Sequence, residues 1–302
     1  METRNHMQIQ ATPHFHALFL ERALPRLQAD PRIVGVAAAG SFSGGRMDEF
    51  SDLDLVIAVE PDATAVVMGE RRRIAAELGL LAAAFTGEHV GEPRLLICLY
   101  HGEEGGPPLH VDLKFVSLPD AVVRVDEPVV LWEREGRLSQ VLQAGEAHYP
   151  APDLPWIEDR FWVWIHYAAL KIGRGELFEA VDFLAFLRAR VLGPLVLTEA
   201  GAQPAGVRRV ETAAPSRAGQ LQATVAAYDR DSCIRCLYAA VDLYRSLRRP
   251  VGKGHADMVA NEAAEGTAMA YLSDIAARQP FRQEASDPPR ASGNPTTNGA
   301  FP

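Results

Sequence analysis

Apolar and polar positions along the first 135 residues follow two rhythms, and the alternation between them predicts the elements. In residues 14–28, Phe15, Leu18, Phe19, Ala23 and Leu27 recur at the three-to-four-residue spacing of a helix with one buried face. Residues 32–39 (RIVGVAAA) form a short apolar run that suits a buried strand. Residues 53–59 predict a second strand, 94–100 a third and 129–132 a short fifth; 109–116 (LHVDLKFV), the fourth, alternates with the period of two expected of a half-buried strand. Residues 63–84 read as a helix with Arg71, Arg72 and Arg73 toward solvent. The segment HGEEGGPP at 101–108 predicts a hairpin loop, and GSFSGGRMDEFS at 40–51 a loop or a loop leading into a short turn of helix.

Beyond residue 135 the rhythm changes. Pro150, Pro152 and Pro155 punctuate the chain, and residues 157–274 carry mainly helical periodicity, with breaks expected at 173–175, 193–194, 201–206 and 250–254. The expected fold is α+β: an N-terminal mixed-sheet domain over residues 1–135, then an all-helical domain over 136–278. Residues 279–302, rich in Pro, Ser, Asn and Gly, are expected to be disordered. No internal repeat is evident.

The 302 residues contain 39 acidic and 30 basic side chains, a net charge of −9. Residues 1–150 hold 22 acidic against 13 basic residues, whereas residues 151–280 hold 15 of each. This balance argues against general nucleic-acid binding through a basic face. No apolar run approaches the roughly 18–20 residues of a membrane span. The polar first ten residues lack the apolar core of a signal peptide, and three cysteines make no disulfide framework. A cytoplasmic setting is expected.

Chemistry concentrates in three places. Gly40-Ser41 closes the first predicted strand, Asp52-Leu53-Asp54 opens the second, and Asp112 lies in the fourth. Strand residues two apart face the same way, so Asp52 and Asp54 project together while Leu53, Leu55 and Ile57 face the core. Adjacent carboxylates repel unless a cation lies between them. With Asp112 they make three oxygen donors suited to Mg²⁺, and two such ions roughly 4 Å apart would hold an attacking and a leaving oxygen in line. Gly40, lacking a Cβ, lets backbone approach a phosphate closely, and Ser41 adds a hydroxyl donor. A helix starting near Phe42 would add its first N–H groups.

These residues resemble the pattern of the DNA-polymerase-beta-type nucleotidyltransferase superfamily: Ala39-Gly40-Ser41, a gap of ten residues, Asp52-Leu53-Asp54-Leu55, then Asp112 on a later strand. The resemblance covers about the first 115 residues. Residues 160–179 (RFWVWIHYAALKIGRGELFE) are similar, less specifically, to the helical domain of aminoglycoside- and lincosamide-modifying members. The resemblance implies transfer of a nucleoside monophosphate from an NTP, expected to be ATP, to a hydroxyl of a small molecule such as an antibiotic, with release of pyrophosphate. It implies that Asp52 and Asp54 hold two Mg²⁺ ions. Asp112 completes the catalytic one and helps deprotonate the acceptor, and Gly40 and Ser41 hold the β- and γ-phosphates. By analogy with the family a homodimer is expected. The alternatives are a protein AMP-transferase of the antitoxin kind and a catalytically silent nucleotide-binding module.

Further candidates weigh less. Lys171 and Arg174 are candidates to clamp the triphosphate, against an ordinary solvated helix end. Glu176 is a candidate general base, and Arg46 a phosphate contact. Lys114 reads as a structural ion-pair partner, His110 and His166 as satisfied neutral histidines. Phe161, Trp162, Trp164, Ile165 and Tyr167 read as a core-facing helix. Cys233 and Cys236 lack a second ligand pair at zinc spacing and read as helix packing. The Arg160-x5-His166 spacing of small helical ribonucleases is short enough to arise by chance.

Overall fold

In the computed structural model, which describes residues 12–102, 105–252 and 259–278, the chain divides into two compact units at Tyr149/Pro150. The tail expected over 279–302 lies outside the described residues. No described helix is long and apolar enough to cross a membrane.

The first unit is a six-stranded mixed sheet with helices on both faces. Helix α1 (His14–Ala29) leads into β1 (Ile33–Ala38), a single helical turn α2 (Gly40–Ser43) and β2 (Leu53–Val59). Helix α3 (Thr64–Leu78) follows, then β3 (Leu81–Gly87), β4 (Glu92–Tyr100), β5 (Leu109–Ser117), β6 (Val129–Glu133) and α4 (Arg137–Gln143). The strand order is β3-β4-β5-β2-β1-β6, with β2 and β5 parallel and every other pair antiparallel. Leu53, Leu55 and Ile57 of β2 and Val111, Leu113 and Phe115 of β5 point into the core under α1 and α3. Each such side chain contributes about 1.5–3 kcal/mol on burial. The Tyr100 hydroxyl donates to the Ala75 carbonyl at 2.8 Å, tying β4 to α3.

Three sequence expectations change here. Residues 81–84 are strand rather than the end of a helix: they begin β3, which pairs antiparallel with β4. The turn at residues 40–43 is helical, starting at Gly40 rather than near Phe42. Helix α4 belongs to this unit. Its Leu138 and Leu142 are buried with Val34, Ala37, Ala58 and Val116 on the sheet face opposite α1. Gly35 makes the docking possible, because a Cβ there would meet Leu138 Cδ2 at 2.9 Å.

The second unit is helical. Helix α5 (Leu154–Arg174) starts at Asp153, whose carboxylate accepts from the Trp156 N–H at 3.0 Å, and carries Pro in its first turn. It is followed by α6 (Leu177–Leu187), a π-helical segment (Arg188–Leu192), α7 (Gly193–Glu199), α8 (Val210–Ala213), α9 (Pro215–Gln222), α10 (Arg230–Gly252) and α11 (Glu262–Ala277). The break expected at Gly193–Pro194 is a widened turn instead. Pro194 lacks an N–H, and the chain passes from α to π hydrogen bonding just before it and continues. Likewise α10 runs on to Gly252, past the break expected from Pro250.

The unit's core is organised around a buried carboxylate. Glu158, 3% exposed, accepts from Trp162 Nε1, Arg248 Nη1 and the Asn261 N–H at 3.0 Å each on one oxygen, and from the Tyr244 hydroxyl at 2.5 Å on the other. Burial pushes its pKa up, but these donors together outweigh burial and hold it below the ordinary value. The network joins α5, α10 and Asn261, which caps α11.

Candidate active site

The parallel pairing of β2 with β5 sets Asp54 directly beside Asp112. Both lie on the partly exposed face of the sheet, because the alternate positions of each strand are committed to the core. The row continues across β4 to Ile97 and across β3 to Phe85, while His110 stands opposite Leu99. Phe85 and Leu99 are exposed, so the carboxylate pair borders an apolar shelf. Asp52 is partly exposed and immediately precedes β2, outside the paired ladder.

The end of β1 reaches this pair. The Ala39 N–H donates to the Asp54 carbonyl at 2.9 Å and leads into α2. Gly40 has φ +59°, and its face lies flush against the Asp54 carboxylate: a Cβ there would fall closer than 3.0 Å to Oδ2. Only glycine combines that conformation with that approach. The next residue, Ser41, places a hydroxyl in the interior with no hydrogen-bond partner among the described residues. A buried unpaired hydroxyl is costly, and it marks a place where a ligand acceptor is expected.

Among the described residues no three His, Cys, Asp or Glu side chains stand together as a ready-made metal cage. The ladder assembles two carboxylates rather than three. This donor set fits Mg²⁺, which is commonly held by one or two carboxylates, with water and substrate phosphate completing its six oxygens.

Two histidines make hydrogen bonds beside the site residues. His110 Nε2 lies 3.0 Å from Asp112 Oδ1. His110 is half-exposed, and Asp112 is the partner of its Nε2. His16 of α1 is buried, and its Nε2 lies 2.7 Å from the Ser51 carbonyl, one residue before Asp52; its Nδ1 has no partner among the described residues. The i, i+2 spacing of His110 and Asp112 was visible in the sequence, whereas nothing in it connects residues 16 and 51.

Lys114 pairs with Glu92 at 2.9 Å. Glu92 also meets Arg94 at 2.8 Å, and the Arg94 guanidinium, followed by Lys114, holds its carboxyl down to about 2. Arg46 is exposed, and its guanidinium folds back against Gly44.

The candidates of the helical unit gather at the α5–α6 junction. Lys171 Nζ meets Glu176 and Glu179 at 2.8 Å each, and Arg174 Nε meets Glu176 at 3.0 Å. The Tyr167 hydroxyl donates to Glu179. Hydrogen bonds to Glu176 and then Glu179 raise the Lys171 pKa. Lys171, Arg174 and Glu176 are thus mutually paired. Phe161, Trp162 and Ile165 are buried as expected, while Trp164 is partly exposed and Tyr167 exposed. The His166 ring packs on Tyr271 at 4.4 Å, and Arg160 lies over Trp156 at 4.3 Å. Cys233 and Cys236 are buried in the helical core.

No family model and no curated protein matches the chain. Among solved structures, an aminoglycoside 6-adenyltransferase from Bacillus subtilis is similar at 13% identity and a TM-score of 0.38, over 86% of this chain and 98% of that one. A nucleotidyltransferase-like protein from Exiguobacterium sibiricum is similar at 13% identity and a TM-score of 0.37, over 85% of this chain and 88% of that one. Likeness at this level carries no argument about activity, and the functional case rests on this chain's own residues.

Proposed function

We propose that the chain is a nucleotidyltransferase, moving a nucleoside monophosphate from an NTP, with ATP the expected donor, to a hydroxyl of a small molecule, with an antibiotic such as an aminoglycoside or lincosamide the expected class. One observation carries the reading. Two carboxylates stand side by side in the β2–β5 ladder, with a glycine flush against one of them and a buried, unpartnered serine hydroxyl next in sequence. Paired carboxylates next to an open hydrogen-bond donor suit a cation bound together with a polyphosphate.

In this mechanism Asp54 and Asp112, with Asp52 ahead of the strand, would hold Mg²⁺, which supplies neutralisation of the triphosphate charge. Gly40 lets the chain approach the phosphates, and the Ser41 hydroxyl donates to a β- or γ-phosphate oxygen. The acceptor oxygen bonds to the α-phosphorus, and the bond from that phosphorus to the bridging oxygen breaks. Pyrophosphate leaves with the electron pair. The hydroxyl proton passes to a carboxylate, for which Asp112 is the candidate. The residues act chiefly by position and charge. The apolar shelf of Phe85, Ile97 and Leu99 supports an acceptor with an apolar face.

The test is pyrophosphate release from ATP, GTP, CTP or UTP with Mg²⁺ across a panel of hydroxylated acceptors. The proposal expects release that needs an acceptor and falls about a hundredfold or more in Asp54→Asn and Asp112→Asn. Release unchanged by both substitutions would overturn it.

A further inference from the structure

The buried face of α1 carries one polar side chain, His16, beside Phe19, Leu20, Ala23, Leu24 and Leu27. His16 is 2% exposed, and its Nε2 lies 2.7 Å from the Ser51 carbonyl. A carbonyl only accepts, so the proton of this bond belongs to Nε2 and the imidazole donates. An imidazole is costly to bury, and an apolar side chain would fill a plain core position at lower cost.

Residues 48–51 form a turn whose other hydrogen bonds close on itself. The Ser51 N–H donates to the Asp48 carbonyl at 3.2 Å, and the Asp48 N–H donates to Ser51 Oγ at 3.0 Å. The Phe50 N–H and the Ser51 hydroxyl donate to Asp48 Oδ1 at 3.0 Å each. Asp48, Glu49 and Phe50 are exposed. Among the described residues, His16 supplies the hydrogen bond that ties this turn to a core helix.

The tie falls on the peptide unit that begins Asp52. The Ser51 carbonyl and the Asp52 N–H lie in one rigid plane, so holding the oxygen holds that plane. On the other side of Asp52, Leu53 is locked in the β2–β5 ladder opposite Val111. Asp52 sits between two held peptides, one fixed by His16 and one by the sheet, and the direction of its side chain follows from both.

We propose that His16 is a positioning residue: by donating Nε2–H to the Ser51 carbonyl it fixes the peptide plane ahead of Asp52, and so the direction in which the Asp52 carboxylate is offered to a divalent cation. This rests on the nucleotidyltransferase reading of the same site, since it takes Asp52 and Asp54 as cation ligands.

The experiment is Mn²⁺ titration of the full chain without nucleotide, read from the electron paramagnetic resonance of the free ion, so turnover plays no part. Thermal melts check that each variant is folded at the titration temperature. His16→Leu, which fills the space without a donor, is expected to weaken Mn²⁺ binding about tenfold. His16→Asn, whose amide is too short to reach Ser51, behaves like Leu. His16→Gln, whose amide N–H reaches the position of Nε2, keeps most of the affinity. In an Asp52→Asn background, His16→Leu has little further effect, because both changes remove the same interaction; a merely structural disturbance would add to it. A Mn²⁺ site that is lost in Asp54→Asn but unchanged in His16→Leu and His16→Asn overturns the positioning role and leaves the nucleotidyltransferase reading standing. Equal weakening by Leu, Asn and Gln, or an undiminished effect of Leu in the Asp52→Asn background, does the same. A parent protein with no Mn²⁺ site sensitive to Asp54→Asn overturns both.

Discussion

Two glycines in one loop separate backbone strain from active-site geometry. Gly40 and Gly45 have nearly the same conformation, φ +59° and +60°. A Cβ on Gly45 would meet nothing within 4 Å, whereas one on Gly40 would fall closer than 3.0 Å to Asp54 Oδ2 and 3.1 Å from its Cγ. Replacing either by Ala places a side chain in the left-handed region, at about 1–2 kcal/mol. Gly40→Ala must also displace the Asp54 carboxylate by about 1 Å, because the β2 backbone is fixed by pairing on both sides. A displacement of that size at a reacting centre costs about a hundredfold in rate. Urea unfolding should therefore show the left-handed penalty in both Gly40→Ala and Gly45→Ala, with a further loss in Gly40→Ala from the displaced carboxylate. Nucleotidyl transfer should fall about a hundredfold in the first alone. Equal transfer by both variants would refute the reasoning that Gly40 exists to seat Asp54.

Ser41→Ala should move stability and binding in opposite directions. Removing an unpaired buried hydroxyl leaves unfolding free energy unchanged or higher by about 1 kcal/mol, while NTP binding weakens about 10- to 100-fold through loss of a bond to a charged acceptor. Glu158→Gln removes the charge that balances buried Arg248 and replaces one of the two acceptor oxygens with an NH2 that faces a donor, and should cost about 3–5 kcal/mol in chemical denaturation. The native pKa of Glu158 lies below its unfolded value, so its contribution is present above about pH 4.5 and is lost as pH falls below that. Glu92→Gln should cost about 1–3 kcal/mol at neutral pH, because the parent carboxyl is held down to about 2. The two proteins should converge in stability as pH falls from about 4.5 toward 2.

The sequence carried the strands that bear the aspartates and left their pairing hidden. LDLVIAV and LHVDLKFV alternate so regularly that the core face of each is fixed, and each Asp falls on the other face. That β2 and β5 are neighbours, parallel and aligned with Asp54 opposite Asp112 depends on a crossover through α3, β3 and β4, which no local pattern records. Strand β3 was hard to see because LAAAFTG is rich in alanine and only Gly79 and Leu80 separate it from the preceding helix. Pairing with β4 overrides that helical preference. Helix α4 carries no sign of its docking place, which depends on the absence of a Cβ at Gly35, a hundred residues earlier. The Glu158 network draws three of its four donors from Tyr244, Arg248 and Asn261, far along the chain, and no local pattern marks Glu158.

The most direct measurement of the central claim uses ATP labelled separately at the α- and γ-phosphates, incubated with the protein, Mg²⁺ and an acceptor that supports pyrophosphate release. The account predicts α-label on the acceptor, γ-label in pyrophosphate, and neither product in Asp54→Asn. Label passing to the acceptor from the γ-position would contradict it, as would α-label transfer undiminished in Asp54→Asn.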